Sequence, residues 1–311
     1  MAKEKIKKEL GRKKDFPLVD THRLTPKHEG GEYIEGNVVL SDPVEHMKEH
    51  GTYRERDNDL EVIKSLIDDR RQVMKLVMKI QNQLLAYTRD VYKMNEITKN
   101  WLEEQLKSVK NELKTREKHI VKVIKEYAKI DKLTAATLSV KGCGPITVAN
   151  MLTYIDLEKA RHASSLWSYT GLDKPSHERY EKNVAGGGNK TLRTALYVFA
   201  SVQIKSPGAP YREVYDRTKT RLENSDKITK SMNTKGKLIE CAWKDTKPCH
   251  RHGAAIRAII KHFLADYWMV GRTIKGLPTD PLYAEAVLKG NHRTIQPQER
   301  GWKYEEMSHS L

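Results

Sequence analysis

Two apolar stripes with charged residues between them run along residues 58–134. The first contains Leu60, Ile63 and Ile67 and, after a phase shift, Val73, Val77, Ile80 and Leu84; the second contains Leu102, Leu106, Val109, Leu113, Ile120, Ile124 and Tyr127. Spacing of three and four residues is typical of amphipathic helices, and the segment has no glycine or proline to interrupt them. The pattern predicts two long helices, with a break near residues 93–100, that form a helical hairpin or coiled coil.

The stripes leave open which helix covers each of them. A stripe this narrow needs a partner, and the partner is either the other long helix or a helix of a second copy. The long helices are therefore predicted to be architectural, and a homodimer through them is expected.

The amino-terminal part of the chain differs from the long helices. Residues 1–14 carry seven basic and two acidic side chains, which predicts a basic arm that contacts phosphates or a solvated tail. Residues 15–52 contain glycine and proline turns around a short β pattern at residues 37–40, followed by a short helix that ends at Gly51.

The carboxy-terminal part has shorter helices. Glycine and proline turns separate them over residues 138–290, and residues 291–311 form a polar tail that is expected to be loosely ordered. The predicted fold class is mainly α: a small ββα head, a long helical hairpin or coiled coil over residues 58–134, and a helical domain over residues 138–290.

The charge of the chain favours a polyanionic partner. Lys and Arg total 57 against 41 Asp and Glu, a formal net charge of +16, and nucleic acid is the usual ligand of so basic a protein. A basic protein without such a ligand is the alternative. No apolar run is long enough to span a bilayer, residues 1–14 lack the apolar centre of a signal peptide, and the three cysteines have no framework spacing. A cytoplasmic protein without membrane partners is expected.

A group of histidines lies within residues 15–52. The spacings are His-x3-Pro, Pro-x3-Gly-Gly, Gly-Gly-x5-Asn and Asn-x8-His with a further His four residues on, and they involve His22, Pro26, Gly30, Gly31, Asn37, His46 and His50. This segment of roughly forty residues resembles an HNH endonuclease motif, in which a hairpin and a helix grip one divalent metal ion.

The resemblance implies a role for each of these side chains. His22 is the hairpin histidine, Asn37 the central asparagine, and His46 and His50 the helix histidines, one turn apart so that both can face one ion. A metal ion (Mg, Mn or Zn) would stabilise the leaving oxygen, and a neutral histidine would accept a proton from the attacking water. His22 could be ligand or base, and Asp20 could be the missing ligand. The alternative is a ββα unit without activity.

A Gly-x-Gly turn follows the long helices. Residues 138–151 resemble a helix-hairpin-helix, in which Gly142 and Gly144 allow backbone N–H groups to approach phosphate oxygens and Pro145 begins the next helix. Lys141, Gly142 and Gly144 are therefore predicted to contact the DNA backbone. The alternative is an ordinary helix–helix turn.

Further motifs extend this resemblance. Tyr169-Thr-Gly171-Leu172 precedes Gly188-Asn189 and Leu192-Arg193, and this order resembles the carboxy-terminal domain of the insertion-sequence transposases called the IS one-ten family, which includes bridge-RNA-guided recombinases. The resemblance covers residues 138–278 and implies DNA binding, with a structured guide RNA as a further expected partner. Lys190 and Arg193 flank a glycine-rich basic loop that is predicted to follow a nucleic-acid backbone.

The sequence departs from that family in two ways. We find no room for an RNase-H-like domain before the long helices, and the family's catalytic serine corresponds poorly to Ser176, which His177 follows instead of glycine. The leading hypothesis is thus a metal-dependent DNA endonuclease or transposase-like protein of a mobile element. The alternatives are a non-catalytic DNA-binding protein and an RNA-guided recombinase with a serine nucleophile.

The last cluster of chemically active side chains is loosely spaced. Cys241, Cys249, His250 and His252 match no strong zinc template, so capping and interior roles are favoured over a metal site. His250 and Arg257 could instead face DNA or an active site. The large side chains nearby are expected in the core: Trp243, Phe263, Leu264 and Trp268.

Overall fold

The computed structural model describes residues 20–23, 38–41, 58–88, 95–173, 187–232, 237–279 and 295–304, the first two ranges as backbone only. The chain divides into two units, residues 1–57 and residues 58–311. Within the described ranges, none of the helices combines the length and the apolar character that crossing a membrane requires.

A small antiparallel sheet belongs to the first unit. Strand β1 (Asp20–Arg23) pairs with strand β2 (Val38–Ser41), and His22 lies opposite Val39 in the register. Strand β2 therefore starts at Val38, one residue later than the β pattern at residues 37–40 predicts. The basic arm, Asn37, and the helix expected to carry His46 and His50 lie outside the described residues.

The second unit begins with the long helices. Helix α1 (Asn58–Thr88) and helix α2 (Glu96–Tyr127) form an antiparallel hairpin, and Asn95 caps α2 by accepting a hydrogen bond from the Thr98 N–H at 2.8 Å. The predicted hairpin is confirmed, although its second helix starts inside the range predicted for the break. Near the tip, the two stripes cover each other through Val73, Val77, Ile80, Leu102 and Val109.

Ion pairs on the outside of the hairpin match this register. Arg70 contacts Glu117 at 2.6 Å, and Arg116 contacts Asp69 of α1 and Glu112 of its own helix. Surface pairs of this kind contribute about 0–1 kcal/mol each, so the apolar seam supplies most of the stability. Because each stripe is covered within the chain, the stripes themselves do not require a second copy, and the homodimer stays a prediction.

Shorter helices make up the rest of the second unit. They are α3 (Lys132–Ser139), α4 (Pro145–Tyr154), α5 (Ala163–Tyr169), α6 (Lys190–Lys205), α7 (Arg212–Glu223) and α8 (Pro248–Ile274). A hairpin of strands β3 (Ile228–Met232) and β4 (Leu238–Ala242) lies between α7 and α8, and short 3₁₀ turns cover Trp243–Asp245 and Pro297–Arg300.

One core joins the base of the long hairpin to the shorter helices. Ile63 and Ile120 from the hairpin belong to the same buried cluster as Phe199 of α6 and Phe263 and Trp268 of α8. The sequence suggested separate domains over residues 58–134 and 138–290. In the structure, the long helices pack against α4 near the base of the hairpin.

A buried carboxylate holds the end of the chain against this core. Both carboxylate oxygens of Asp266 accept hydrogen bonds from Arg300 at 3.0 and 2.9 Å, and one accepts a further bond from the Tyr211 hydroxyl at 2.6 Å. Trp302 Nε1 donates to that hydroxyl at 2.8 Å. Burial raises the pKa of the Asp266 carboxyl, and the Arg300 guanidinium opposes this shift by favouring the charged form.

The segment 295–304 differs from the loosely ordered tail that the sequence predicts. Trp302 and Arg300 are both buried, and Ser139 of α3 joins the segment by donating to the Gly301 carbonyl at 3.1 Å and accepting from the Lys303 N–H at 2.9 Å. The prediction failed because the segment is polar in composition, whereas Arg300 and Trp302 are buried by partners that are distant in sequence, Asp266 and Tyr211. We call residues 295–304 the strap.

Removing the cation of this network should destabilise the second unit. Arg300→Leu leaves the Asp266 carboxylate buried without its charged partner, so we expect the free energy of unfolding to fall by about 3–5 kcal/mol. Urea unfolding followed by circular dichroism measures it. The control is Lys129→Ala, which breaks the exposed pair with Glu126 and should change stability by less than about 0.5 kcal/mol. An equally small change for Arg300→Leu would contradict this account of the strap.

Candidate nucleic-acid interface

The Gly-x-Gly turn connects α3 to α4 as the pattern predicts. Asp131 caps α3, Gly142 adopts a left-handed conformation with φ +88°, and Gly144 is the N-cap of α4 with Pro145 in the first turn. Gly144 has no side chain with which to cap the helix. Pro145 has no N–H, and the Thr147 and Val148 N–H groups donate to the Gly144 carbonyl at 2.9 and 3.2 Å, which leaves the Ile146 N–H as the group that a cap would bind. Such an end is suited to an anion such as phosphate.

The two glycines of this turn have different surroundings. A Cβ atom at Gly142 would lie 2.5 Å from Gln203 Nε2, and that amide donates to the Lys141 carbonyl at 2.7 Å. Gly142 therefore allows the turn to pack against α6. Gly144 is exposed, and no atom lies within 4 Å of a Cβ placed there. Of the two predicted contacts, Gly144 is the one with open space beside it.

The predicted lysines lie at the surface. Lys141 is exposed, and its ammonium group donates to the Pro207 carbonyl at 2.6 Å, which orients the side chain without neutralising its charge. Lys190 is exposed in the first turn of α6. Both side chains can therefore present a positive charge to solvent. Their contact with DNA stays a prediction.

A second pair of glycine turns lies at the other end of α6. Gly171 and Gly188 have φ angles of +68° and +64°, and a Cβ at Gly188 would lie 2.4 Å from the Gly171 nitrogen. The two backbones are thus in direct contact, which requires glycine at both positions. Asn189 adds a bond between the same segments, because its N–H donates to the Tyr169 carbonyl at 2.7 Å.

The buried side chain of Arg193 stabilises this contact by hydrogen bonds to both segments. It is 9% exposed, and its Nη1 donates to the Thr170 carbonyl at 2.8 Å and the Gly187 carbonyl at 2.7 Å. The sequence predicted that Arg193 contacts DNA, but these bonds give the guanidinium a structural role on both glycine turns. The spacing of the motif gave no sign of that role, because both acceptors are backbone carbonyls.

Several other predicted residues lie outside the described part of the chain. Residues 174–186, which include Ser176 and most of the basic loop, are among them. Asn37, His46 and His50 are as well, and Asp20 and His22 are described by backbone only. The predicted metal site is therefore not tested.

The loosely spaced cysteines and histidines are dispersed. His250 stacks on Trp243 with ring centroids 5.1 Å apart, and the His252 Nδ1 atom lies 2.7 Å from the Tyr215 hydroxyl. Cys241 is half-buried and Cys249 is exposed. In the parts of the chain that the structure describes, no three His, Cys, Asp or Glu side chains are grouped to hold a metal ion.

The expected core residues divide into two groups. Phe263, Leu264 and Trp268 are buried in the core of the second unit, as predicted. Trp243 is not, because it lies in the turn after β4, where it is half-buried beside a surface cavity. That prediction is wrong because tryptophan, although highly buried on average, is rarely buried completely, and the turn after β4 leaves Trp243 at the surface.

The different surroundings of the glycines give a matched test. Gly188→Ser places a side chain against the Gly171 backbone in a left-handed conformation, which alone costs about 1–2 kcal/mol; we expect a clearly lower melting temperature. Gly144→Ser introduces a favourable N-cap at φ −84°, so its stability should be unchanged or slightly higher. Thermal unfolding of the two variants compares them, and equal melting temperatures would show that the Gly171–Gly188 contact is dispensable.

Comparison with known proteins identifies one segment of the chain. No curated protein matches the sequence at a significant level. A family model described as Transposase IS116/IS110/IS902 family matches residues 135–216, which run from α3 into α7 and contain both pairs of glycine turns. Over this segment the chain is therefore similar to these insertion-sequence transposases.

Proposed function

We propose that the protein is a transposase-like, DNA-binding protein of a mobile element, and that it cleaves DNA phosphodiester bonds through its amino-terminal segment. The observation that carries the proposal is the transposase family match over residues 135–216. The net charge of +16 supports it, because a phosphate backbone neutralises such a surplus.

DNA binding is assigned to the Gly-x-Gly turn and the start of α6. Gly144 is exposed at the start of α4 and provides no capping side chain, and two exposed lysines lie nearby in sequence, Lys141 in the turn before α4 and Lys190 in the first turn of α6. Backbone amides and lysines bind phosphate oxygens without reading base sequence. We therefore expect an interface that positions DNA and gives little sequence preference by itself.

Cleavage is assigned to residues 15–52. The donor set of three imidazoles and a carboxylate, from His22, His46, His50 and Asp20, is chemically suited to a divalent cation such as Mg, Mn or Zn. Bound there, the ion would stabilise charge on the leaving oxygen. His22 would act as a ligand or accept the proton of the attacking water, and Asn37 would orient the loop that carries it. The antiparallel pairing of β1 with β2 supports the hairpin part of this proposal.

Lysine substitutions test the binding interface. Lys141→Gln and Lys190→Gln each remove one phosphate contact, so the slope of log affinity against log salt for duplex DNA should become less steep by about 0.9 per variant. Fluorescence anisotropy at several salt concentrations measures it. Lys129→Gln is the control, since this exposed lysine is already paired with Glu126. An unchanged slope in both test variants would place the interface elsewhere. Gly144→Ser should also weaken binding, because its hydroxyl competes with phosphate for the helix N–H groups.

Histidine substitutions test the cleavage centre. Nicking of supercoiled DNA with magnesium or manganese should be lost in His22→Ala and in His46→Ala, because each removes a ligand or the base. His119→Ala, at an exposed position of α2, should retain activity. Absence of nicking by the unaltered protein would leave only DNA binding. A covalent protein–DNA adduct that disappears in Ser176→Ala would instead establish the serine recombinase.

A further inference from the structure

An open cavity of about 490 Å³ lies between α7, the turn after β4, and α8. Its volume is within the range of about 300–1,000 Å³ that is common for small-ligand sites. Residues three and four positions apart on each helix line it, including Arg221 on α7 and Arg257 and Lys261 on α8. This spacing places each set on one face of its helix. We call this cavity the α7–α8 cleft.

The charge of the α7–α8 cleft is entirely positive. Arg221, Lys227, Arg257 and Lys261 line it, and none of the described lining residues is acidic. The acidic neighbour of Lys227 in sequence, Asp226, is already paired with Lys244 at 2.6 Å. An anion that entered the cleft would therefore meet cations from three structural elements without competition from a lining carboxylate.

Arg257 has a partly enclosed charge. It is partly buried, and burial lowers the pKa of its guanidinium, whereas the hydroxyl of Tyr197 opposes the shift. A hydroxyl cannot neutralise this charge as a carboxylate would. An anionic ligand beside Arg257 would offset the unfavourable burial of the cation.

An aromatic ring lies beside these cations. Trp243 lines the cleft, and its ring stacks on His250, which is not a lining residue. Arg251 fixes the turn that carries Trp243 by donating through Nη1 to the Lys244 carbonyl at 3.0 Å and to the Thr246 carbonyl. The Trp243 backbone N–H also donates to the Lys227 backbone carbonyl at 3.0 Å, so the backbones of these two lining residues are held together.

Small and apolar side chains also line the cleft. Ala254 and Ala258 contribute only methyl groups from α8, and Leu222 adds an apolar contact from α7. Cations, an aromatic ring and an apolar wall together match a nucleotide, whose phosphate is anionic and whose base is flat. A duplex keeps its bases stacked on one another, so only an unpaired base can lie against tryptophan.

We propose that the α7–α8 cleft binds an unpaired nucleotide of a nucleic-acid strand, with the base against Trp243 and the phosphates on Arg221, Lys227 and Arg257. The proposal rests on the proposed function as far as the chain binds nucleic acid, but it assigns a separate site with a different preference. The Gly-x-Gly turn contacts duplex backbone, and the α7–α8 cleft holds single-stranded DNA or RNA.

Substitution of Trp243 in the full chain tests the stacking. We expect Trp243→Leu to weaken binding of labelled oligo-dT or oligo-U by about tenfold, as loss of one base–aromatic stack does, and to leave duplex affinity unchanged. Trp243→Phe should restore most of the affinity. Trp101→Leu is the matched control, because Trp101 is 56% exposed on α2. Comparing oligo-dT with oligo-U identifies which strand the cleft prefers.

Substitution of Lys227 tests the phosphate contacts. Lys227→Gln should make the salt slope for single strands less steep by about 0.7, and Lys129→Gln should not. Circular dichroism should show that each variant is folded. A glutamate peptide of equal charge serves as a competitor, and it should displace the strands weakly because it offers no base.

Three results would overturn the proposal: equal losses for Trp243→Leu and Trp101→Leu, equal losses on duplex and single strands, or equally strong competition by the peptide. Each is distinguishable from failure of the proposed function. If Lys141→Gln and Lys190→Gln weaken duplex binding while Trp243→Leu has no effect on single strands, the interface stands and the cleft does not. If the chain binds no nucleic acid at all, both proposals fail.

Discussion

The second unit depends on one buried charge. Asp266 lies in the middle of α8, where a carboxylate is costly to bury unless its oxygens are satisfied. Its partners come from residues far along the chain, Tyr211 just before α7 and Arg300 in the strap. The strap also reaches α3 through Ser139. Satisfying one carboxylate therefore fixes the positions of α3, α7 and α8 relative to one another.

That constraint extends to both proposed binding surfaces. The Gly-x-Gly turn begins where α3 ends, and Gln203 joins it to the start of α7 by bonds to the Lys141 carbonyl and the Tyr211 N–H. The α7–α8 cleft lies between the two helices that meet at the Tyr211–Asp266 bond. Preorganisation of this kind reduces the ordering that ligand binding would otherwise require. Neither surface consists of a loop whose shape is independent of the core.

The sequence was most informative where the signal is local. Apolar spacing predicted the long hairpin, because each helix carries its own stripe. Glycine spacing located the turn between α3 and α4. It did not show that Gly142 packs against Gln203 while Gly144 faces open space, because that difference arises from α6, some sixty residues later.

Features that depend on distant partners were missed. Arg193 is a basic residue in a basic segment, which is typical of a DNA contact. In the fold, however, its guanidinium donates to two backbone carbonyls. Trp302 was expected in a loosely ordered polar tail, but it is buried and its Nε1 donates to the Tyr211 hydroxyl. The α7–α8 cleft combines residues from three elements. In each case the signal is a spatial arrangement, and single-residue chemistry leaves several arrangements open.

The contact between Gly171 and Gly188 has a consequence for the helices on either side of it. Gly171 follows the end of α5 and Gly188 precedes the start of α6, and Arg193 and the Asn189–Tyr169 bond hold the two ends together. Two chain ends that are already joined at a fixed point need no further ordering when a ligand binds beside them. The spacing of α5 and α6 is therefore set by this backbone contact itself, and a side chain larger than hydrogen at either glycine would change that spacing.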